Sequence, residues 1–252
     1  MTNGLNGATA LVVGGTGGIG LATAQRFAAA GARVAIAGRD RARGEAALAA
    51  LSGDGAEGVF LTLDVTDPAS VAAAVAAVVE RWGKLDCAFN NAGWEGVPAP
   101  LEQQTEADWQ RMIETKLSGT WRCLRAEISC MRTQGHGTIV NMAGNWGLVG
   151  FPNFAPYCAA AHGIVGLTKA AALEVAGAGL RVNAVCPGAV DAPMLDRMVG
   201  GDPASKTSFG DSLAIGRICT PEEVANAVVW LCSPESSYVN GASLPLDGGG
   251  TA

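Results

Sequence analysis

The fold is decided by the stretch Ala10–Gly20, which reads ALVVGGTGGIG. An apolar run typical of a strand leads directly into glycines, and a helical pattern begins at Gly18. Gly14, Gly18 and Gly20 have the spacing G-x-x-x-G-x-G. Such glycines let backbone amides approach a pyrophosphate at a helix amino terminus, where the helix dipole favours negative charge. A purely structural turn would also explain them, but the position after a first strand favours a dinucleotide-binding turn.

The alternation of strand and helix continues along the 252-residue chain. Short apolar runs predict strands at Thr9–Val13, Arg33–Ala37, Gly58–Leu63, Leu85–Phe89, Gly137–Met142, Leu180–Val185 and Ser243–Leu246. Longer patterns predict helices at Gly18–Ala30, Asp40–Leu51, Pro68–Trp82, Thr105–Thr133, Ala155–Ala176 and Pro221–Cys232. The strands are apolar throughout, as in a parallel sheet with both faces covered. We therefore expect residues 1–252 to form a single α/β domain with a doubly wound parallel sheet.

The segment Gly200–Gly210 interrupts this alternation. It is polar and has no strand pattern. Loops beside a rigid sheet commonly carry binding residues. We therefore predict a mobile loop near the functional site.

The composition excludes several classes of protein. Apolar residues make up 49% and charged residues 16% of the chain, as in a compact globular protein. The net charge is −6 and no basic run occurs, so we expect no nucleic-acid partner. No apolar run approaches the roughly 20 residues that span a bilayer, and the start MTNGLNG lacks a signal-peptide pattern. We therefore expect no membrane partner and a cytoplasmic location.

The cysteines point to the same compartment. Seven are scattered along the chain without C-x-x-C spacing. This pattern predicts reduced thiols and no metal site. Each cysteine is expected to be a small, buried apolar side chain.

The end of the second predicted strand bears on a nucleotide ligand. An acidic residue there would bind the ribose 2′-hydroxyl of NAD(H), whereas a guanidinium would pair with the 2′-phosphate of NADP(H). Arg39 occupies this region and is followed by Arg41 and Arg43, which favours NADP(H) over NAD(H). Two alternatives remain open: the arginines are solvated at a helix start, or Asp40 binds the ribose of NAD(H).

Six motifs follow one another along the chain. They are the glycine-rich turn with Gly14, Thr16, Gly18, Ile19 and Gly20, LDVTD at Leu63–Asp67, NNAG at Asn90–Gly93, Tyr157, RVNAVCPG at Arg181–Gly188 and LPLDGG at Leu244–Gly249. In this order they resemble the short-chain dehydrogenase/reductase family over essentially the whole chain. The resemblance implies a Rossmann-type sheet, a nicotinamide cofactor and a homo-oligomer, either a tetramer or a dimer.

The resemblance also implies cofactor contacts at matching positions. Asp64 and Val65 would contact adenine. The cofactor would lie against Asn91, Ala92 and Gly93. Its nicotinamide end would contact Pro187, Gly188 and Val190. Val13 and Ala192 stand where the family usually has threonines. Each loss would weaken cofactor positioning by about one hydrogen bond.

The family's catalytic side chains are a tyrosine, a lysine four residues later, a serine thirteen residues earlier and an asparagine on the preceding long helix. Tyr157 matches the tyrosine. Ala161, Gly144 and Lys116 stand at the other three positions. The resemblance therefore implies altered or impaired hydride transfer, and weaker cofactor binding because the ribose-contacting lysine is missing.

The size of the impairment follows from general chemistry. An unassisted tyrosine has a pKa near 10, so about one molecule in a thousand is ionised at neutral pH. Each missing proton-transfer or oxyanion contact typically costs roughly 10²–10⁴ in rate. We hypothesise that Lys116 compensates, either by placing its ammonium in the space left at Ala161, near Tyr157, or by acting as a nucleophilic amine. The other interpretation is that Lys116 extends to solvent.

Aromatic residues surround the predicted site. Trp94 follows NNAG, and Trp146, Phe151 and Phe154 lie between Gly144 and Tyr157. Together with Asn145 and Met194 they predict a pocket for a small, hydrophobic, ring-containing substrate. Packing in the core or at a subunit contact would explain some of them equally well.

Three functions fit these observations. The first is an oxidoreductase scaffold that reduces carbonyls or oxidises alcohols with NADP(H), with altered hydride transfer. The second is a natural or engineered non-redox catalyst, such as an aldolase, cyclase or isomerase, that uses Lys116 and Tyr157. The third is a cofactor-binding pseudoenzyme.

Overall fold

The computed structural model describes residues 4–52 and 56–252, except for the side chain of Ser52. The first three residues of MTNGLNG, the segment in which we predicted no signal peptide, lie outside the described residues. Within these ranges the chain forms seven strands and nine α-helices. The strands are β1 (Thr9–Val13), β2 (Arg33–Gly38), β3 (Gly58–Thr62), β4 (Cys87–Asn90), β5 (Gly137–Met142), β6 (Leu180–Pro187) and β7 (Ser243–Leu246). The helices are α1 (Gly18–Ala29), α2 (Arg41–Ser52), α3 (Pro68–Trp82), α4 (Glu106–Met112), α5 (Gly119–Gln134), α6 (Ala155–Val175), α7 (Pro193–Met198), α8 (Pro203–Asp211) and α9 (Pro221–Cys232).

The strands form one parallel sheet in the order β3-β2-β1-β4-β5-β6-β7. This order confirms the predicted Rossmann-type α/β fold. The chain reverses its direction of travel across the sheet between β1 and β4. In doubly wound sheets, ligands bind at the carboxyl ends of the strands at such a switch point.

Burial on both faces of the sheet explains the uninterrupted apolar strands. On one face, Leu11 and Val13 of β1 join a core cluster with α3, α5 and α6. On the other face, Ala10 and Val12 of the same strand join a cluster with α1, α2 and α9. Every side chain of β1 therefore leaves water on folding, which stabilises the strand that leads into the glycine-rich turn.

The predicted bounds agree with the structure for β1, β5, β7, α3 and α9. β4 spans Cys87–Asn90 instead of Leu85–Phe89, and β6 extends two residues further, to Pro187. Sequence patterns locate element ends least well because ends depend on hydrogen bonds to neighbouring strands. Here Ala184–Pro187 pair with Ser243–Leu246.

The predicted helix Thr105–Thr133 is a continuous helical segment with a break in its pattern. Thr105 caps α4 by accepting a hydrogen bond from the backbone amide of Asp108. Between α4 and α5 the chain makes a π-helical turn at Ile113–Ser118, which contains Lys116. Such turns are rare and are often found at functional sites.

The prediction of an irregular loop at Gly200–Gly210 was wrong. Pro203–Asp211 form helix α8, and Pro193–Met198 form another helix, α7, that we did not predict. Asp202 caps α8 by accepting hydrogen bonds from the amides of Ala204 and Ser205. An aspartate cap followed by proline is a helix-start signal, which the polarity of the exposed segment masked.

Helix α6 and the turn that follows it require another correction. Ala155–Ala178 is long and apolar enough to cross a membrane by length and composition, with a mean hydropathy of 1.2, contrary to our expectation of no such run. This helix packs on β6, and 44% of the apolar window is buried inside the structure. The core helix of a soluble protein meets the same criterion.

All seven cysteines lie within the described ranges and are free thiols. Cys87, Cys123, Cys186 and Cys232 are buried. The expectation that every cysteine is buried was wrong for three of them, which are partly exposed: Cys130, Cys158 and Cys219.

Candidate active site

The glycine-rich turn lies directly beneath the loop that follows β4. The side-chain amide of Asn91 donates a hydrogen bond to the carbonyl oxygen of Gly14, at 3.0 Å. A Cβ atom built on Gly14 would lie 2.9 Å from the amide nitrogen of Ala92, and one built on Gly20 only 2.1 Å from the carbonyl oxygen of Gly14. Any side chain at these two glycines would collide with the backbone. Glycines at these positions therefore allow backbone segments to approach one another closely at the amino terminus of α1.

The residues at the end of β2 and the start of α2 border this turn. The guanidinium of Arg43 approaches within 3.1 Å of a Cβ atom built on Gly17. Thr16 lies against Gly38, whose Cβ position would be 2.8 Å from the Thr16 methyl group. Arg39 is exposed. The role of Arg39 as a phosphate ligand stays a prediction, and the structure places Arg43 beside the turn as a second cation.

Asp40 is engaged elsewhere. Its carboxylate accepts a hydrogen bond from the backbone amide of Arg43, at 3.0 Å, and so closes the start of α2. That Asp40 binds the ribose of NAD(H) stays an alternative, because this bond uses one of the two carboxylate oxygens. A carboxylate engaged in this turn is a poorer partner for a ribose hydroxyl.

Asp64 and Val65 lie beyond the end of β3. The backbone amide and the hydroxyl of Thr66 both donate to the Asp64 carboxylate. The amide bond is the largest cause that holds the pKa of Asp64 below its ordinary value, and the charge of Arg39 contributes. The Val65 side chain is buried against Gly119 of α5.

The end of β6 and the start of α7 close the opposite side. A Cβ atom built on Gly188 would lie 3.0 Å from the Cβ of Asp247 and 3.6 Å from the side-chain nitrogen of Asn145. The Cβ atom of Ala192 would lie 3.3 Å from one built on Gly18. The chain that follows Pro187 therefore returns to the glycine-rich turn, and Val190 is anchored by a bridge to Cys219.

Tyr157 and Gly144 are in direct contact. A Cβ atom built on Gly144 would lie 2.9 Å from the Tyr157 hydroxyl oxygen. Gly144 has a φ of 91°, a conformation that side chains other than glycine rarely adopt. A serine at this position would therefore be strained in the present backbone.

Lys116 reaches the same place from the π-helical turn. Lys116 as a whole is only 3% exposed. The ammonium nitrogen lies 4.5 Å from the centre of the Tyr157 ring and 3.5 Å from the carbonyl oxygen of Met142. Within residues 4–52 and 56–252, no carboxylate lies within ion-pairing distance of Lys116. The hypothesis that Lys116 extends to solvent was therefore wrong, because the side chain is buried beside Tyr157.

Ala161 is fully buried. A Cβ atom built on Gly147 would lie 2.9 Å from the carbonyl oxygen of Ala161 and 3.3 Å from its Cβ atom. The turn Asn145–Gly147 therefore packs tightly on this part of α6. That the Lys116 ammonium takes the place of a lysine at position 161 stays a prediction.

Three of the predicted pocket residues form an aromatic cluster with Tyr157. Trp146 stacks on Phe151 with ring centres 4.2 Å apart, and it meets the edge of Tyr157 at 5.3 Å. Phe154 lies 4.9 Å from Trp146. Trp94 lies apart from them in the contacts of the structure and packs under the guanidinium of Arg111, at 4.1 Å. Met194 is partly buried on α7.

An ion pair that the sequence did not reveal crosses from the loop after β4 to α7. The guanidinium of Arg197 donates to both carboxylate oxygens of Glu95, with Nη2 at 2.9 Å from Oε2. This contact holds the pKa of Glu95 below its ordinary value against the opposing effect of burial. No short-range pattern links residues so distant in sequence.

Known proteins resemble this chain in sequence and in fold. A family model described as enoyl-(acyl carrier protein) reductase matches residues 14–251. The 2,5-dichloro-2,5-cyclohexadiene-1,4-diol dehydrogenase of Sphingobium indicum is 39% identical over 249 residues, which cover 98% of both chains. The crystal structure of a variant of actinorhodin polyketide ketoreductase with NADPH superposes with a TM-score of 0.93 at 36% identity, covering 97% of both chains. NAD⁺-bound xylitol dehydrogenase gives a TM-score of 0.92 at 34% identity, covering 96% of this chain and 98% of the other.

Proposed function

The chain belongs to the short-chain dehydrogenase/reductase family, and we propose that it is an oxidoreductase that interconverts a carbonyl and an alcohol on a hydrophobic, ring-containing substrate with NADP(H). The observation that carries the proposal is that the glycine-rich turn follows β1 and that Gly144, against which Tyr157 lies, follows β5, so both are at the carboxyl-end edge of one parallel sheet. The altered residues around Tyr157 make hydride transfer slower than in an enzyme with the family's full set of side chains.

The cofactor half of the site supports nicotinamide binding. Gly14 and Gly20 leave no room for side chains, and this cradle fits a pyrophosphate at the start of α1. A bound nicotinamide would supply or accept the hydride. The residues of the chain that would hold it are Asn91–Gly93 on one side and Pro187–Val190 on the other.

The position of Arg43 supports NADP(H). Its guanidinium lies against Gly17, on the side of the turn where β2 ends. Arg43 and the exposed Arg39 would give a 2′-phosphate two cationic partners. Asp40, the carboxylate that would favour NAD(H), is bonded to the start of α2. Both NADPH and NAD⁺ occur in the related structures, so this preference depends on the local arginines.

The acid/base chemistry belongs to Tyr157 and Lys116. The Tyr157 hydroxyl would pass a proton to or from the substrate oxygen. The Lys116 ammonium, 4.5 Å from the ring centre, favours electron density on that ring and stabilises a developing phenolate. Gly144 offers no hydroxyl to the substrate oxygen, so one contact worth roughly 10²-fold in rate is missing.

The aromatic cluster supports the substrate class. Trp146, Phe151 and Phe154 present ring faces beside Tyr157. Flat apolar rings pack well against such a surface. The dehydrogenase of Sphingobium indicum acts, by its name, on a six-membered ring diol, and we propose a cyclic alcohol or ketone for this chain.

The buried amine of Lys116 favours a second candidate function. An amine beside a tyrosine ring, with no carboxylate partner among the described residues, has the components for imine formation with a carbonyl substrate. In that case the protein would be an aldolase, cyclase or isomerase. Trapping with borohydride would leave a covalent adduct on Lys116, and its absence with every carbonyl tested would exclude this chemistry.

The assembly and location are also proposals. Trp109, Trp121 and Leu173 are exposed on α4, α5 and α6, with Leu173 at 84%. Apolar side chains on these helices suit a contact between copies of the chain. We propose a dimer or tetramer in the cytoplasm.

Two measurements test the main proposal. Fluorescence titration compares NADPH with NADH, and we expect at least a tenfold preference for NADPH, since one charge-assisted contact contributes about that factor. Turnover is then followed at 340 nm on cyclic and linear ketones and alcohols. Binding of NADPH without turnover on any of them would instead support a cofactor-binding protein without catalysis. A folded protein that binds neither nucleotide contradicts the proposal.

A further inference from the structure

A chain of buried polar side chains crosses the core beneath the candidate site. Asn90 of β4 donates through its side-chain nitrogen to the Glu127 carboxylate at 2.9 Å and to the Asn141 side-chain oxygen at 3.0 Å. Asn141 of β5 in turn donates to the Thr168 hydroxyl at 3.0 Å. All four residues are buried, and Glu127, Asn141 and Thr168 are 0% exposed. A polar chain of this kind is costly to bury unless its members satisfy one another.

Two oxygens in this series of four hydrogen-bonded side chains have no hydrogen-bond partner among the described residues. They are Oε1 of Glu127 and Oδ1 of Asn90. An ionised carboxylate only accepts hydrogen bonds, so it offers nothing to the Asn90 oxygen. A neutral carboxyl group carries one O–H donor, and its nearest bonded neighbour, Asn90, has the acceptor that lacks a donor. The neutral form is therefore the one that the surroundings of Glu127 accommodate.

The four residues join the elements that build the site. Asn90 and Asn141 are paired in register near the carboxyl ends of β4 and β5. Asn91, which follows Asn90, holds the glycine-rich turn, and Met142, which follows Asn141, accepts from Lys116. Glu127 lies on α5, which continues the helical segment of Lys116, and Thr168 lies on α6, the helix of Tyr157.

We propose that Glu127 is a positioning residue. As a neutral acid, it fixes the positions of the ends of β4 and β5 and of the helices of Lys116 and Tyr157 relative to one another. Ionisation of Glu127 places a charge in this buried core, removes the O–H donor of the neutral carboxyl group and shifts Tyr157 relative to the glycine-rich turn. The site is then competent when Glu127 is protonated.

The surroundings support this protonation. Burial raises the pKa of Glu127 to about 7, and the hydrogen bond from Asn90 opposes the rise only in part. On α5, burial is the main cause that raises the pKa values of the Cys123 and Cys130 thiols, and the charge of an ionised Glu127 raises them further. From β4, β5 and α6 the neighbours in the hydrogen-bonded chain are the neutral Asn90, Asn141 and Thr168. Helix α3, packed on α5, contributes apolar side chains to the same core.

The number of tyrosines makes a direct test feasible. The chain has two, Tyr157 and Tyr238, and Tyr238 is fully exposed. In a Tyr238→Phe background, ring-¹³C tyrosine labelling gives one set of signals, from Tyr157. The protein is titrated without cofactor from about pH 5.5 to about pH 8.5, a range that brackets the ionisation of Glu127 and stops near the ordinary pKa of cysteine. We expect the Tyr157 shift to move with a midpoint near 7, and Glu127→Gln to abolish this movement.

Matched variants separate Glu127 from other ionisable groups. His162 is another ionisable residue on the helix of Tyr157, and His162→Asn removes its contribution. Glu174→Gln, an exposed glutamate on α6, should leave the Tyr157 titration unchanged. If Glu127→Gln folds poorly, Glu127→Met provides a second non-ionising side chain with the same expected flat titration. A Tyr157 shift that does not move near pH 7, or that moves equally in the Glu127 variants, overturns the proposal.

The inference takes its site from the proposed function, but the two fail differently. NADPH binding is measured at both ends of the same pH range. We expect the parent to lose about tenfold more affinity than Glu127→Gln as pH rises, as a shift of about one pKa unit would produce. If neither nucleotide binds, the proposed function fails and the tyrosine titration still decides the role of Glu127.

Discussion

The Lys116 ammonium lies 4.5 Å from the centre of the Tyr157 ring. A positive charge therefore lies beside the ring of the candidate proton donor. Lys116→Met keeps most of the side-chain volume and removes the charge. We expect turnover to fall by about 10²-fold, mainly in kcat, because a positioned charge beside the reacting group is lost. Steady-state kinetics over a range of pH measures both the loss and any change in the profile.

Lys169→Met is the matched control for Lys116→Met. Lys169 is an exposed lysine on the helix of Tyr157. The Lys169→Met variant should have the same kcat, with the same pH dependence, as the parent. Identical pH–rate profiles for Lys116→Met and the parent would contradict both an acid/base and an amine role for Lys116.

Restoring a serine at Gly144 should destabilise the protein. The φ of 91° is unfavourable for any side chain, and a Cβ atom would press on the Tyr157 hydroxyl, at 2.9 Å. We expect Gly144→Ser and Gly144→Ala each to lower the free energy of unfolding by roughly 1–3 kcal/mol, as measured by urea denaturation. The difference in turnover between Ser and Ala then isolates the hydroxyl. Full stability in both variants would show that the turn relaxes.

Arg43 should discriminate between the two nicotinamide cofactors. Arg43→Met removes a cation that lies against Gly17, and we expect NADPH to bind about ten- to a hundredfold more weakly while NADH is unaffected. Arg41→Met is the control, since Arg41 pairs with Glu45 on the exposed face of α2. Equal losses for both cofactors would assign Arg43 to the pyrophosphate or to folding.

The ion pair between Glu95 and Arg197 should hold α7 over the site. In Glu95→Gln and in Arg197→Met we expect faster amide hydrogen exchange in α7 and faster NADPH release, because the contact between α7 and the loop after β4 is weakened. Since Arg197 is more than half exposed, concentrated salt should reproduce part of the effect in the parent. Exchange rates in α7 that match the parent in both variants would contradict this role.

Glu127 should make the protein less stable as pH rises. Its pKa is about 7 in the folded protein and 4.5 for the unperturbed side chain, so the folded state binds the proton more tightly. This stabilisation is complete below about pH 4.5 and is lost as pH rises through 7, by on the order of 3 kcal/mol in total. Urea denaturation between about pH 5 and pH 8.5 measures the fall in stability, which is expected below about pH 7 and which Glu127→Gln should remove.

Glu223 provides the contrast in sign. Arg217 holds the pKa of Glu223 down to about 2, so its contribution is present above about pH 4.5 and lost in acid. The contribution of Glu223 to stability does not change between about pH 6 and pH 8.5. A slope of equal size in Glu127→Gln would therefore point to another ionisable group.

The sequence predicted the sheet well because its signals are local. The run before Gly14 is buried on both faces and needs no long-range information to be identified as a strand. Helix α8 was missed because the polar composition of Gly200–Gly210 outweighed the capping signal at Asp202. The π-helical turn around Lys116 has no pattern of its own, since it interrupts a helix that is otherwise regular.

The sequence by itself determined the fold class and the glycine-rich turn, and its resemblance to the family predicted that Lys116, Gly144 and Ala161 stand at catalytic positions. The tertiary structure decided what these three residues contact. Burial of Lys116 against Tyr157, the approach of Arg43 to Gly17, and the Glu95–Arg197 pair each join elements distant in sequence. The periodicity that reveals a strand is a local property, but such contacts depend on how helices pack across the sheet.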